Sequence, residues 1–199
     1  MAYALSEFPY KYNALEPYIK EKTVRELYEI RHKAYVDGLN DIDTNIVEAR
    51  SKDDSFSIKR LSRERVFYST GHYLYKLFWE NTVPNGRGPA TDSIAARIIE
   101  DFNTLEAFKK QFSASALAVK GSGFTTLVWN PLFVKLDIIQ VEKCHSITNW
   151  GVSQWGVIPL LVVDVWPQAG YCLIGAYIDA WWNLVDWDVV NARYQKVIM

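Results

Sequence analysis

Cysteine is scarce. Cys144 and Cys172 are the 2 cysteines in 199 residues, 28 positions apart and outside any CxxC pattern. They make no disulfide framework, and the plain reading is two reduced, packed thiols, which fits a reducing compartment. Charge of one sign is also missing. The 22 basic and 23 acidic side chains leave a net charge of −1, so the chain as a whole is not built to neutralise phosphates, although a local basic patch stays open. Long apolar runs are absent too. The longest, Val157 to Trp166, is broken by Pro159 and Asp164 and falls short of the roughly 20 residues of a membrane span. The opening Met1-Ala-Tyr-Ala-Leu-Ser-Glu7 has neither signal-peptide pattern nor Arg-rich presequence. There is no internal repeat and no low-complexity tract. GxSxG, GxGxxG, P-loop and HExxH patterns are lacking, which removes several enzyme classes.

What is present is apolar bulk. Hydrophobic residues make up 49%, with 8 Trp, 12 Tyr and 9 Phe, enough area to offset chain entropy and exclude general disorder. One cluster of turn formers, Val83-Pro84-Asn85-Gly86-Arg87-Gly88-Pro89, divides the chain. Residues 1–86 read as an N-terminal helical hairpin domain and 87–199 as a C-terminal α/β domain. In the first, Val24, Leu27, Ile30, Ala34 and Tyr35 share a helical face over Lys22 to Leu39, and a second long helix spans Ile58 to Asn81. In the second, helices are predicted for Thr91–Phe102 and Leu105–Leu117, capped by Thr91 and Asn103. Strands follow at Thr125–Trp129, Leu136–Val141 and Leu160–Trp166. Helices at Ile178–Trp187 and Asp188–Val197 complete an α+β fold with a small three-stranded antiparallel sheet.

Six motifs in order resemble the iron/manganese superoxide dismutase family along nearly the whole chain. They are the opening Tyr3–Pro17, His32-Lys-Ala-Tyr-Val-Asp-Gly-Leu-Asn40, Gly71-His72 with Leu77-Phe-Trp79, Lys120–Val128, Pro159–Trp166 and Trp182–Tyr194. The resemblance implies that family's fold. It also implies a redox metal held by three His, one Asp and a solvent molecule. Carried over position by position, the first His falls on Leu27, the second on Tyr75, the Asp on Asp164 and the last His on Gln168.

The three histidines do not refill that set. His72 precedes Tyr75 by about one helical turn, a displacement of ~4.5 Å, against a tolerance of ~0.2 Å in metal–nitrogen distance. His32 matches an outer or gateway position, and His145 lies in a stretch that does not align. A Tyr, Asp and Gln set would favour hard, oxygen-loving ions, and a phenol with a pKa of ~10 resists deprotonation. Around the centre, Phe124 and Thr126 replace family tryptophans, and the family's amide falls at Gly71 or near Trp150. Pro167 and Arg31 replace a cross-subunit Glu and an interface His. The gateway tyrosine is kept as Tyr35. Asp164, if buried, needs donors, and the Tyr75 hydroxyl and Gln168 amide are candidates.

These losses imply no catalytic residue, no cofactor and no metal: a degenerate, non-enzymatic member with an interaction role. The resemblance then points to a structural subunit of a large mitochondrial assembly. The first expectation is the small subunit of the mitochondrial ribosome, paired with a related superoxide-dismutase-like chain, bound mainly to proteins and with limited rRNA contact. The alternatives are a respiratory-chain subunit, or a metal-dependent superoxide dismutase with a rebuilt site. Among Trp150, Trp155, Trp166, Trp181, Trp182 and Trp187, the family match makes Trp166, Trp182 and Trp187 core, and Trp150 and Trp155 are the better interface anchors.

Overall fold

The fold is taken from a computed structural model that describes residues 2–142, 156–165 and 174–198. Two long antiparallel helical stretches come first. The first is α1 (Glu21–Arg25), a π-helical segment (Glu26–His32) and α2 (Lys33–Ser51) in unbroken succession. It runs twelve residues past the predicted end at Leu39, because Ile42 and Ala49 pack with Leu61 in a small core of their own near the hairpin tip. The second is α3 (Ser55–Glu80), which starts three residues earlier than predicted because Asp54 caps it, its carboxylate accepting from the Ser57 N–H at 3.0 Å.

α4 (Asp92–Phe102) and α5 (Leu105–Leu117) follow. The cap of α5 is Thr104, whose hydroxyl accepts from the Ala107 N–H at 2.9 Å. Asn103 is instead the residue that ends α4, at φ +70°, a conformation asparagine tolerates. The sheet is β1 (Gly123–Asn130), β2 (Lys135–Glu142) and β3 (Ile158–Asp164), antiparallel in the order β2-β1-β3. Every residue of central β1 is buried, which is why its hydrophobic run shows no alternation. α6 (Ile174–Trp181) and α7 (Trp187–Ile198) close the described chain. A single continuous helix to Trp187 does not form: Trp182–Leu184 tighten to a 3₁₀ turn and Val185 is extended, bridging Thr82.

The N-terminal hairpin is fastened to the sheet by Asn81, fully buried just past the end of α3. Its Oδ1 accepts from the Val162 N–H at 2.9 Å and its Nδ2 donates to the Val162 carbonyl at 3.1 Å. A side-chain amide thus pairs both backbone groups of one residue in β3. Arg193 of α7 reinforces the joint, donating to the carbonyls of Leu160 at 2.7 Å and Leu77 at 3.2 Å. Tyr75 lies six residues before Asn81 and Asp164 two after Val162, so this joint sets the meeting of those two side chains. Trp181, Trp182 and Trp187 are all buried and offer no interface anchor. Trp150, Trp155, Trp166, Pro167, Gln168, His145 and both cysteines lie outside the described residues. Among the described residues, no helix is long and apolar enough to cross a membrane.

Candidate functional site

The centre expected from the resemblance draws on three elements. Leu27 comes from the π-helical segment, Tyr75 from α3 and Asp164 from the end of β3, and all three are fully buried. The Tyr75 hydroxyl donates to Asp164 Oδ2 at 3.2 Å. An acceptor so deep in the protein needs such a donor. Rings enclose Tyr75: His32 stacks on it at 5.5 Å, Phe124 meets it edge-on at 5.1 Å, and Tyr35 lies tilted at 5.9 Å. Phe124 is the strand partner of Asp164, so the exchange of Trp for Phe there changes the wall of the same pocket. Thr126, also buried, donates its hydroxyl to the Leu127 carbonyl at 3.3 Å.

Arg31 stands beside this centre, its Nη2 donating to Glu26 at 2.7 Å. Burial opposes its charge, but the hydrogen bond to Glu26 and the nearby Tyr75 and Asp164 outweigh that, and its pKa lies above the ordinary value. A guanidinium thus stands within electrostatic reach of the buried carboxylate.

Beyond the Tyr75 ring lies a pair of imidazoles. His32 Nε2 and His72 Nδ1 are 2.9 Å apart. His32 is 3% exposed, and burial, helped by His72, lowers its pKa to about 3, so it is neutral at pH 7. Burial and then Lys76 lower His72 also. The sequence reading treats these two histidines separately and misses their pairing. A signal exists: His32-Lys-Ala-Tyr35 and His72-Tyr-Leu-Tyr75 repeat one His-x-x-Tyr spacing on two antiparallel helices.

The residues at this centre do not fit the family's metal in the family's manner. The carboxylate is present, but where the resemblance expects two imidazoles an aliphatic side chain and a phenol stand, and the phenol is hydrogen-bonded to the carboxylate itself. Among the described residues, no three His, Cys, Asp or Glu side chains converge on one point. Gln168 lies outside the described residues, so the fourth position has no described geometry.

The comparisons with known proteins place this architecture. The alpha-hairpin domain of iron/manganese superoxide dismutases matches residues 2–83, and their C-terminal domain matches residues 90–193. The chain belongs to the iron/manganese superoxide dismutase family. It is 38% identical over 200 residues to a superoxide dismutase [Mn/Fe] of Propionibacterium freudenreichii subsp. shermanii, covering 98% of this chain and 97% of that one. It is 37% identical over 198 residues to a probable superoxide dismutase [Fe] of Bacillus subtilis, covering 98% of this chain and 69% of that one. It is likewise 37% identical over 202 residues to a superoxide dismutase [Fe] of Pyrobaculum aerophilum, covering 98% and 93%.

These relatives overturn the functional expectation drawn from the lost ligands. The expected metal-free, non-enzymatic subunit of a mitochondrial ribosome or similar assembly does not stand, because likeness at this level runs through both lobes to proteins named as metal-dependent dismutases. The inference went from four positions to the whole protein. Changed donors at one centre bear on how that centre is built; they carry no information that the scaffold belongs to a ribosome.

Proposed function

We propose that this chain is a superoxide dismutase with a rebuilt centre. The observation that supports the reading is the whole-chain likeness to proteins named as superoxide dismutases, which covers 98% of this chain. The positions of the family's carboxylate and gateway tyrosine, Asp164 and Tyr35, hold the same residue types. The rebuilding is local. Tyr75 keeps the Asp164 carboxylate hydrogen-bonded, the surrounding rings exclude water, and Arg31 places positive charge nearby, which favours approach of an anion such as superoxide. Pairing with a second superoxide-dismutase-like chain belongs to the same reading, and a native mass of twice 23.0 kDa would support it.

The test is turnover. Purified full chain, loaded separately with iron and manganese, is mixed with pulsed superoxide, and decay is followed with metal content measured on the same sample. Catalytic removal, many superoxide ions per chain and metal retained through gel filtration, is the expected result. Loss of no more than one superoxide per chain with both metals would overturn the reading.

A further inference from the structure

A cavity of about 370 Å³ opens between the N-terminal segment, the π-helical segment and the C-terminal part of α3. The dismutase reading leaves it without a task. We propose that it is a binding site for a small aromatic carboxylate, one or two rings carrying a single negative charge. Its volume falls at the small end of the ~300–1,000 Å³ range of ligand pockets. Tyr10, Tyr28 and Trp79 give it aromatic walls, and such walls favour another ring packed against them.

The polar groups left over on the wall residues are donors. Trp79 Nε1 is buried with no hydrogen-bond partner among the described residues, and an indole N–H can only donate. A buried donor without an acceptor is rare and asks for a reason. The hydroxyls of Tyr10 and Tyr28 already donate to the carbonyls of Thr82 and Ser6. His32 Nδ1 is a second buried atom without a partner among the described residues. When His72 Nδ1 donates to His32 Nε2 across their 2.9 Å contact, the one hydrogen of neutral His32 sits on Nδ1, which is then a donor too. Lys76 adds a cation at the exposed side of the cavity. The carboxylate it faces, Glu80, is 3.9 Å away, too far for a hydrogen bond, so its N–H groups can turn to a ligand.

These donors call for a ligand oxygen with lone pairs and negative charge, which a carboxylate supplies. The acidic side chains of the cavity do not cancel this. Glu80 Oε2 accepts from Arg193 at 2.7 Å. Asp186 Oδ1 accepts from the N–H groups of Asp188 and Val189 at 3.1 and 3.3 Å, and its Oδ2 lies 3.7 Å from Arg87. Glu7 has no ion pair among the described residues, and its charge makes a second negative charge on the ligand unfavourable. An organic cation would meet Lys76 and leave the donors unpaired, so the class is an acid and not an amine. Neither Tyr75 nor Asp164 lines the cavity, and the site needs neither metal nor dismutase turnover.

The experiment is titration of the full chain with benzoate and with naphthoate, each against its neutral amide and against benzylamine. Binding is read by calorimetry and by the indole N–H signals in a proton–nitrogen correlation spectrum. One acid per chain is expected, bound more tightly than its amide, and the indole signal that Trp79→Phe removes should move downfield. Lys76→Gln, at an exposed position, should weaken benzoate roughly fivefold and leave the amide unchanged. If Trp79→Phe does not fold, the acid–amide comparison and Lys76→Gln carry the test. The proposal is overturned by amides or benzylamine binding as tightly as the acids, by equal binding of the acids to wild type and Lys76→Gln, or by no saturable binding to wild type.

Discussion

The Tyr35 ring lies in the space that a side chain at Gly71 would occupy: a Cβ added there overlaps Cδ1 and Cε1 of the ring. The relationship is reciprocated one turn away, where the Tyr68 ring of α3 fills the space beside Gly38 of α2. Each helix offers a glycine to the other's tyrosine, and the hairpin is locked in register. The glycine at position 71, one of the two places where the resemblance puts an amide, is therefore a packing residue that seats the Tyr35 ring.

Gly71→Ala should destabilise the protein. Alanine improves helix propensity by ~1 kcal/mol, but the overlap with Tyr35 forces a shift that costs ~1–3 kcal/mol. A net loss of about 1 kcal/mol in urea unfolding is expected. Adding Tyr35→Leu, which vacates the ring's space, should recover most of it. A Gly71→Ala variant more stable than wild type would show that the ring moves away freely.

Asn81→Ala should be among the costlier single substitutions. It removes two hydrogen bonds to the backbone of Val162 and leaves a buried strand N–H and C=O without partners, worth ~2–4 kcal/mol together. The midpoint of thermal unfolding should fall by several degrees. Because Asn81 sets α3 against β3, the Tyr75–Asp164 contact should loosen too, visible as a change in tyrosine near-ultraviolet circular dichroism.

Leu27→His, Tyr75→His and Gln168→His combined should restore the family's donors around Asp164. The expected outcome is higher retention of iron or manganese through a chelator wash than in wild type, measured on purified protein. Without metal the triple variant should be less stable, since imidazoles placed where Leu27 and Tyr75 are now fully buried would lack partners. Unchanged retention would show that the surrounding shell, Phe124, Thr126 and Arg31 included, also has to be reverted.

Most of the fold is legible in the sequence because its signals are local. The spacing of Val24 and Leu27, and the β-branched run at Leu160–Val163, each declare their element within a few residues, whereas Ile30, expected on the same helical face, is 65% exposed because the chain winds π-helically over Glu26–His32. The Tyr75–Asp164 bond is legible too, since a buried carboxylate beside a phenol has few other solutions. Helix ends are less so: α2 continues past Leu39 because Leu61, far along the chain, covers Ile42 and Ala49. The His32–His72 pair is illegible for the same reason, being made by two antiparallel helices meeting in register across 40 positions. The functional expectation failed differently, by reading a whole protein's role from a handful of donors.

Stability should fall on mild acidification because of His32. Its pKa is about 3 in the folded chain against an ordinary 6.5. Above pH 6.5 neither state is protonated and the group contributes nothing to the pH dependence. Between 6.5 and 3 the unfolded chain takes up a proton that the folded chain refuses, so stability drops by at most ~1.4 kcal/mol per pH unit. The refusal comes first from burial of the ring and then from its neighbours. Tyr28 and Tyr75 pack against it without offering a carboxylate, His72 faces its Nε2, and Lys76 lowers His72 in turn, so His72 adds to the effect in the same sense. From His32 alone, urea unfolding at pH 7.5 and pH 5.0 should differ by up to ~2 kcal/mol, before most carboxylates titrate. His32→Asn, or His72→Gln if the first does not fold, should shrink that difference. A wild-type profile flat from pH 7.5 to 5.0 would mean that water or an ion reaches His32 in solution and stabilises its charged form.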